Sequence, residues 1–153
     1  MSRKNNRWMH FVGFVFVLAG MSCSSCGGGD DPVEVRIENI EIMDFNPDYE
    51  EDPWGEDGQP DLMAVVDVDD EPYFTSSIAM ESSLPQRIAF DGLSFQGTDL
   101  DKTVVIRIFD SDDDSLDDFV GEVSFVPREL MGDQPIRHTL YGGYLQLDLL
   151  LLW

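Results

Sequence analysis

The sequence predicts an all-β protein, an eight-stranded antiparallel β-sandwich that follows an N-terminal leader and a flexible tether. Apolar residues recur at every second position in several segments, which is the period of a strand with one buried face. Clusters of Gly, Pro and Asp separate these segments, and no segment has a convincing helical period. Because strands follow one another without intervening helices, we expect two antiparallel sheets packed face to face.

The first 22 residues are typical of a secretory leader. Three basic residues within positions 2–7 precede the apolar run Trp8–Met21, which is shorter than the ~20 residues that a membrane-spanning helix needs. Both cysteines of the chain, Cys23 and Cys26, follow this run. The pattern resembles the leader of bacterial lipoproteins, and that resemblance implies cleavage before a cysteine that is then acylated. The alternatives are a plain signal peptide with two incidental thiols, or a short anchor helix.

Cys23 is the preferred site of lipidation, and Cys26 is the alternative. Cys23 directly follows the apolar run, and the small residue that cleavage requires, Ser22, precedes it. Residues 23–32 then form the lipidated cysteine and a tether of Gly, Ser and Asp, a composition that stays flexible. Residues 33–153 form one domain. The expected location is the bacterial cell envelope, either periplasmic or surface-exposed, with a lipid holding the protein to the membrane.

The strands of this domain follow from the alternation of apolar residues. A change of phase between Ile37 and Ile40, and another across Gly92, indicate β-bulges. The last strand is apolar on both faces, so we expect it to lie inside a sheet rather than at an exposed edge. The expected strands are residues 33–43, 62–69, 72–79, 86–95, 103–110, 119–126, 136–140 and 143–152.

The charge of the domain excludes nucleic acid as a partner. All 31 acidic residues follow the leader, together with only six of the nine Lys and Arg residues. Such a surface repels nucleic acid and anionic headgroups and attracts cations. High charge is also typical of disorder, but the regular apolar alternation argues for a folded domain.

The densest group of acids is the segment Asp110–Asp118, which joins two predicted strands. Like charges this close repel one another, so without a counterion the arrangement costs stability. The alternative is a solvated rim of acids that binds no metal. Calcium takes six to eight oxygen ligands in a flexible geometry and is the natural choice. An EF-hand is excluded because Ser115 replaces the Gly of the sixth position, Gly121 replaces the Glu of the twelfth, and the flanks are strands.

The same segment resembles the third calcium loop of C2 domains. That loop has Asp-x-Asp, Ser three residues later, Asp three further, then two apolar residues and Gly, which matches 110–121. The first calcium loop of the family is matched by an Asp at the end of one strand and Pro-Asp at the start of the next. The resemblance implies an eight-stranded sandwich that binds about two calcium ions through Asp44, Asp61, Asp110, Asp112, Ser115 and Asp118.

The family resemblance also implies calcium-dependent docking to phospholipid, which this sequence disfavours. Asp113 and Asp114 occupy the loop tip where docking relatives carry basic or aromatic residues, and 72–80 has no Lys or Arg. Phe45, Trp54 and Leu116 are the candidates for insertion. We therefore expect a calcium-binding module with a protein or glycan partner, and keep direct phospholipid docking as the alternative.

The sequence gives little support to catalysis. His138 is the only histidine after the leader, and a lone histidine near a strand is usually structural. No Ser/His/Asp or Cys/His set, zinc constellation or phosphate-binding Gly loop can be assembled. We expect that the protein is not an enzyme.

Overall fold

The computed structural model describes residues 34–45, 59–111 and 117–153, and they form two antiparallel β-sheets packed as a sandwich. The leader, the tether and both cysteines lie outside the described residues. A short 3-10 helix (Gly97–Asp101) and a four-residue helix α1 (Pro127–Leu130) accompany the strands. These strands are β1 (Glu34–Asp44), β2 (Leu62–Val68), β3 (Glu71–Thr75), β4 (Gln86–Ala89), β5 (Ser94–Gln96), β6 (Val104–Asp110), β7 (Asp118–Phe125), β8 (Arg137–Gly142) and β9 (Leu145–Leu152).

The first sheet has the strand order β4-β1-β9-β8, and β5 also pairs with β1. The predicted interior position of the last strand is confirmed, because β9 lies between β1 and β8. Both of its neighbours hydrogen-bond to it, so neither backbone edge of this apolar strand is exposed. Four leucines on its inner face are buried, at positions 145, 147, 149 and 151.

The second sheet has the order β3-β2-β6-β7. Alternate residues of β2 and β6 point inward and meet the inner face of the first sheet, which makes one continuous core. This arrangement confirms the predicted fold class. The fully enclosed core side chains include Ile37, Ile40, Ile42, Leu62, Ile106, Ile108, Phe90 and Phe95.

The described residues contain nine strands rather than eight because the predicted strand 86–95 is divided. Gly92 has a φ of +87°, and the turn that it makes separates β4 from β5. Both halves still pair with β1, through Ile88 opposite Ile40 and Phe95 opposite Val35. The predicted bulge in β1 is confirmed by a register shift between Ile37 and Asn39.

β3 ends earlier than the alternation predicts, because a side chain replaces one of the two ladder hydrogen bonds between Ser76 and Ala64. The other remains, since the Ser76 N–H donates to the Ala64 carbonyl at 2.9 Å. The hydroxyl of Ser76 accepts the hydrogen bond of the Ala64 N–H at 2.9 Å. Beyond this residue only Ala79 pairs with β2, at Leu62. Residues 76–85 therefore form a long connection between β3 and β4 rather than the end of a strand.

Phe119 has the two-residue spacing of the buried Val123 and Phe125, yet it does not face the core. A register shift between Ile108 and Phe109 places Phe119 opposite Phe109, on the outer face of the second sheet. The two rings form an edge-to-face pair with centroids 5.7 Å apart, and Phe119 is exposed.

The prediction that no helix forms is wrong for one short turn. Pro127 occupies the first turn of α1, where its missing N–H is not required, and it is buried together with Leu130. Nowhere in the described ranges is a helix long and apolar enough to span a bilayer.

The strand directions give the sandwich two distinct ends. One end holds Glu34 at the start of β1, together with the end of β9 and the 3-10 helix, and we call it the proximal end. The other holds Asp44 at the end of β1 and Asp110 at the end of β6, and we call it the acidic end. β1 runs the length of the molecule between them.

Candidate metal site

Three of the predicted calcium ligands lie side by side at one edge of the second sheet. Asp110 is opposite Asp118 on β7 and opposite Leu62 on β2, and Asp61 directly precedes Leu62. The N–H of Asp61 donates to Oδ1 of Asp110 at 2.6 Å, and the N–H of Ser111 donates to the Asp61 carbonyl at 2.9 Å. The two loops singled out in the sequence therefore meet.

Asp44 belongs to the other sheet and lies at the same end of the sandwich. Its partner across the β1–β9 ladder is Gln146. The neighbouring Leu145 packs against Gly121, where an added Cβ would lie 3.0 Å from the Leu145 Cβ. Gly121 follows Asp118 by three residues, so Asp44 and Asp118 are both at the acidic end.

The aspartates of the acidic end differ in burial. Asp110 is 3% exposed, Asp61 is half-buried, and Asp44 and Asp118 are exposed. In the part of the chain that the structure describes, no Lys or Arg forms an ion pair with Asp44, Asp61 or Asp118. Their mutual repulsion is therefore not offset by a side-chain cation.

The structure adds a third connection to the site that the sequence analysis missed. The N–H of Glu81 donates to Oδ1 of Asp61 at 2.7 Å, and the N–H of Ser82 donates to the Pro60 carbonyl at 2.7 Å. Both donors belong to the connection 76–85, in which Met80 is 67% exposed. The apolar residues of this connection continue the two-residue period of β3. The sequence pattern therefore predicts a longer strand instead of a connection.

The donor chemistry of the described residues fits calcium better than a transition metal. The side chains at the acidic end are carboxylates, and calcium prefers hard oxygen ligands, whereas zinc prefers nitrogen and sulfur. Asp112 and Ser115 lie outside the described residues. Within residues 34–45, 59–111 and 117–153, no three His, Cys, Asp or Glu side chains form a group that could hold a metal ion. The described carboxylates alone therefore do not make up a metal site.

Phe45 was a candidate for membrane insertion, and the structure excludes it. Its side chain is 7% exposed and belongs to the hydrophobic core. The other two candidates, Trp54 and Leu116, lie outside the described residues, as do Asp113 and Asp114. His138 is half-buried on β8, opposite Leu149.

All six Lys and Arg residues that follow the leader are engaged in ion pairs within the domain. The pairs use carboxylates away from the acidic end. Arg87, for example, donates to Glu41 at 2.8 Å. This hydrogen bond holds the pKa of Glu41 below its ordinary value of 4.5. Between described residues the pairs are Arg36 with Glu34, Arg87 with Glu41, Lys102 with Asp99, Arg107 with Asp67 and Glu122, Arg128 with Asp101, and Arg137 with Glu41 and Asp148.

The fold is similar to that of solved C2 domains. A structure described as "Structure of a C2 domain" aligns over 77% of this chain and 95% of its own, with 13% identity and a TM-score of 0.50. The structure described as "BON1-C2B" aligns over 83% of this chain and 94% of its own, with 13% identity and a TM-score of 0.52.

A larger structure, which contains two C2 domains of Extended-Synaptotagmin 2, aligns over 97% of this chain with 19% identity and a TM-score of 0.54. The present chain spans about half of it, 49%. Human GIVD cytosolic phospholipase A2 aligns over 77% of this chain but only 16% of its own, with 15% identity and a TM-score of 0.50.

Neither a protein-family model nor a curated protein sequence matches the chain. At these identities the structural similarity establishes the fold. The resemblance predicted from the acidic segment is therefore confirmed as the fold of a C2 domain.

Proposed function

We propose that this chain, which has the fold of a C2 domain, is a calcium-binding module that a lipid anchor holds at the bacterial cell envelope. The observation that carries the calcium proposal is the row formed by Asp61, Asp110 and Asp118 across three strands, with Asp44 at the same end. The module acts as a binding or structural domain for a protein or glycan partner. It is not proposed to be an enzyme.

Backbone N–H groups hold two of these carboxylates in place without a bound cation. The Glu81 N–H fixes one oxygen of Asp61, and the Asp61 N–H fixes one oxygen of Asp110. A carboxylate has two oxygens and about four acceptor positions, so one such hydrogen bond does not exclude a cation. A bound calcium ion supplies the positive charge that these groups lack and links the connections that carry them. Asp112 and Ser115 complete the proposed ligand set.

The affinity for calcium is expected to be modest. Extracellular calcium modules bind in the ~10⁻⁴–10⁻³ M range, because calcium outside the cell is not kept scarce. Calorimetry of the mature chain should therefore show calcium heat in that range, and the melting temperature should be higher in calcium than in chelator. Absence of both the calcium heat and the melting-temperature shift would contradict the proposed calcium binding.

Two variants separate site binding from general charge screening. Replacing Asp110 and Asp112 together by Asn removes two ligands and should abolish both the heat and the shift. Asp133→Asn removes an exposed acid that follows α1, toward the proximal end, and should leave both effects intact. If Asp133→Asn reduces the calcium heat and the melting-temperature shift as much as the double substitution does, calcium is attracted nonspecifically to the acidic surface.

The lipid anchor has a separate test. In bacteria fed a labelled fatty acid, the wild-type chain and Cys26→Ser should be labelled, and Cys23→Ser should not. Labelling of Cys23→Ser together with loss in Cys26→Ser would move the anchor to Cys26. If the wild-type chain is not labelled, the proposed lipid anchor is wrong.

Calcium-dependent phospholipid docking is a second candidate, and one structural observation favours it. The connection that donates to Asp61 carries three exposed apolar side chains, Ile78, Met80 and Leu84. Against it stands the engagement of every domain cation in an internal pair, which leaves the acidic end without positive charge for headgroups. Unacylated protein should stay in the supernatant when it is spun with anionic vesicles and calcium. Co-sedimentation that Met80→Asp abolishes would favour docking instead.

A further inference from the structure

We propose that the proximal end of the sandwich rests on the bilayer that holds the lipid anchor, and that the candidate calcium site therefore faces away from this membrane. This inference rests on the proposed lipid anchor and does not depend on calcium binding. It gives the molecule a fixed polarity, with the partner of the acidic end on the side opposite the membrane.

The proximal end carries an exposed apolar patch formed by Ile136, Leu152 and Trp153, which we call the proximal patch. These side chains are 79%, 46% and 36% exposed. The backbone brings them together, since the Leu151 N–H donates to the Ile136 carbonyl at 3.0 Å and the Trp153 indole donates to the Pro135 carbonyl at 3.1 Å. The end of β9 and the start of β8 are thereby tied into one surface.

A shallow cleft of about 300 Å³ adjoins this patch, between Glu34, Arg36, Leu152 and Trp153. Arg36 lies directly opposite Leu152 across the ladder. A tryptophan beside a long basic side chain suits the boundary between headgroups and acyl chains, where the ring is partly buried and the guanidinium stays hydrated. The first residue of the cleft, Glu34, is where the chain arriving from the tether enters β1.

The length of the tether favours this end over the acidic end. About ten residues separate the lipidated cysteine from Glu34, and a flexible chain of that length has a root-mean-square span of roughly 17 Å. β1 has eleven residues and, at about 3.3 Å for each of its ten steps, holds Asp44 roughly 33 Å from Glu34. For the acidic end to reach the same bilayer, the tether would have to approach its full extension of about 35 Å. The proximal end is within reach without that stretching.

The distribution of charge favours the same orientation. Three of the six domain cations, Arg36, Lys102 and Arg128, lie at the proximal end. Each is paired with an acid at that end, so these pairs add no net negative charge there. The connection between Asp44 and Asp61 has no Lys or Arg and adds six further acids. Anionic headgroups repel the acidic end more strongly than the proximal end, so the field of the membrane turns the acidic end outward.

Two tryptophans report the orientation in the intact lipoprotein. Once the leader is removed, the chain has Trp153 in the proximal patch and Trp54 in the sequence between Asp44 and Asp61, two residues of the acidic end. Lipidated Trp54→Phe and Trp153→Phe each leave one of them as the reporter. Both proteins are reconstituted into vesicles that contain brominated phosphatidylcholine, which quenches tryptophan at the bilayer. We expect a large loss of fluorescence from Trp153 and little from Trp54, with or without calcium.

Flotation of the same vesicles separates the possible failures. A chain that does not float has no anchor, and then both the anchor and this orientation are wrong. A chain that floats but shows equal quenching of the two reporters, or stronger quenching of Trp54 with calcium, overturns the orientation alone. Flotation with unquenched Trp153 and concentration-dependent cross-linking would assign the proximal patch to a second copy of the chain, which also overturns it.

Paired substitutions test the surface itself. Ile136→Asp combined with Leu152→Asp, in the Trp54→Phe background, places two acids in the patch and should reduce the quenching of Trp153. Met80→Asp places the same charge at the acidic end and should leave the quenching unchanged. The melting temperatures of both variants show whether the fold is retained, and quenching that survives the double substitution in a folded protein contradicts the proposal.

Discussion

Asp110 carries the largest desolvation cost among the aspartates of the acidic end. Its carboxylate is 3% exposed, whereas Asp118, directly across the ladder, remains in solvent. A buried carboxylate requires donors, and the Asp61 N–H provides one at 2.6 Å. The resemblance to C2 domains implied that Asp61 and Asp110 share a site. It could not predict that the backbone of one supports the side chain of the other, because that bond depends on the register of β2 and β6.

The turn between β2 and β3 provides a prediction about single residues. Asp69 and Asp70 occupy its two central positions with φ of 51° and 66°, a region that favours glycine. Asp70→Gly should remove backbone strain and raise the free energy of unfolding by about 0.5–1 kcal/mol. Denaturant unfolding in chelator, compared with the wild type, measures the change.

Asp69→Gly is the matched control for that substitution. The Asp69 carboxylate accepts a hydrogen bond from the Thr103 N–H at 3.1 Å, which ties the turn to the start of β6. The same relief of backbone strain is therefore offset by a lost hydrogen bond of about 1 kcal/mol. A stabilisation by Asp69→Gly as large as that by Asp70→Gly would contradict this account.

The outer face of the first sheet is crossed by a chain of charges that joins all four of its main strands. Glu41 on β1 pairs with Arg87 on β4 and with Arg137 on β8, and Arg137 also pairs with the buried Asp148 on β9. Thr139 donates a further hydrogen bond to Asp148 at 2.7 Å. These contacts fix the register of the sheet on the face that lacks an apolar core.

Glu41→Gln should weaken this sheet at neutral pH by at most about 1 kcal/mol, because both arginine partners are half-exposed. Hydrogen bonding to Arg87 lowers the pKa of Glu41 from 4.5, so its contribution is complete above that value and disappears as the pH falls through the lower folded value. The difference in unfolding free energy between wild type and variant should therefore shrink below about pH 4.5. Glu38→Gln, which removes an exposed acid of the same strand, is the control for the loss of a charge alone.

At the level of elements, the sequence predicted most strands correctly because alternation directly reflects one buried face. It failed where a local exception replaces the ladder. The Ser76 hydroxyl takes a bond that a carbonyl would otherwise accept, and a bulge after Ile108 turns Phe119 outward. Gly92 was expected to bend one strand and instead divides it. A serine, an irregular register or a glycine is compatible with either a continued strand or an interrupted one. Tertiary packing decides between the two, so the sequence pattern alone does not.

The whole molecule combines an acidic end with a proximal end that carries cations and an apolar patch. β1 links the two ends, because Asp44 and Glu34 are its last and first residues. A conformational change at the acidic end would have to pass through the packed sheets to affect the proximal end. The proposed anchor and the proposed calcium site are therefore expected to operate independently, and a partner bound at the acidic end would not compete with the membrane.

The excess of acid leads to a prediction for the stability of the entire protein. The chain has a formal net charge of −22, and every domain cation is already in an ion pair. Salt screens both the internal pairs and the repulsion among the remaining acids. The pairs are mostly exposed and contribute about 0–1 kcal/mol each, so relief of the repulsion should be the larger effect.

In chelator, the melting temperature should therefore rise as sodium chloride increases and the screening length falls from about 30 Å at 0.01 M to about 3 Å at 1 M. Calcium should raise it most at low salt, because the ion neutralises the acidic end directly. The variant with Asn at 110 and 112 should melt higher than the wild type in chelator at low salt and gain less from either salt. A melting temperature that falls with sodium chloride would mean that the ion pairs outweigh the repulsion. The acidic end would then be a solvated rim that needs no counterion.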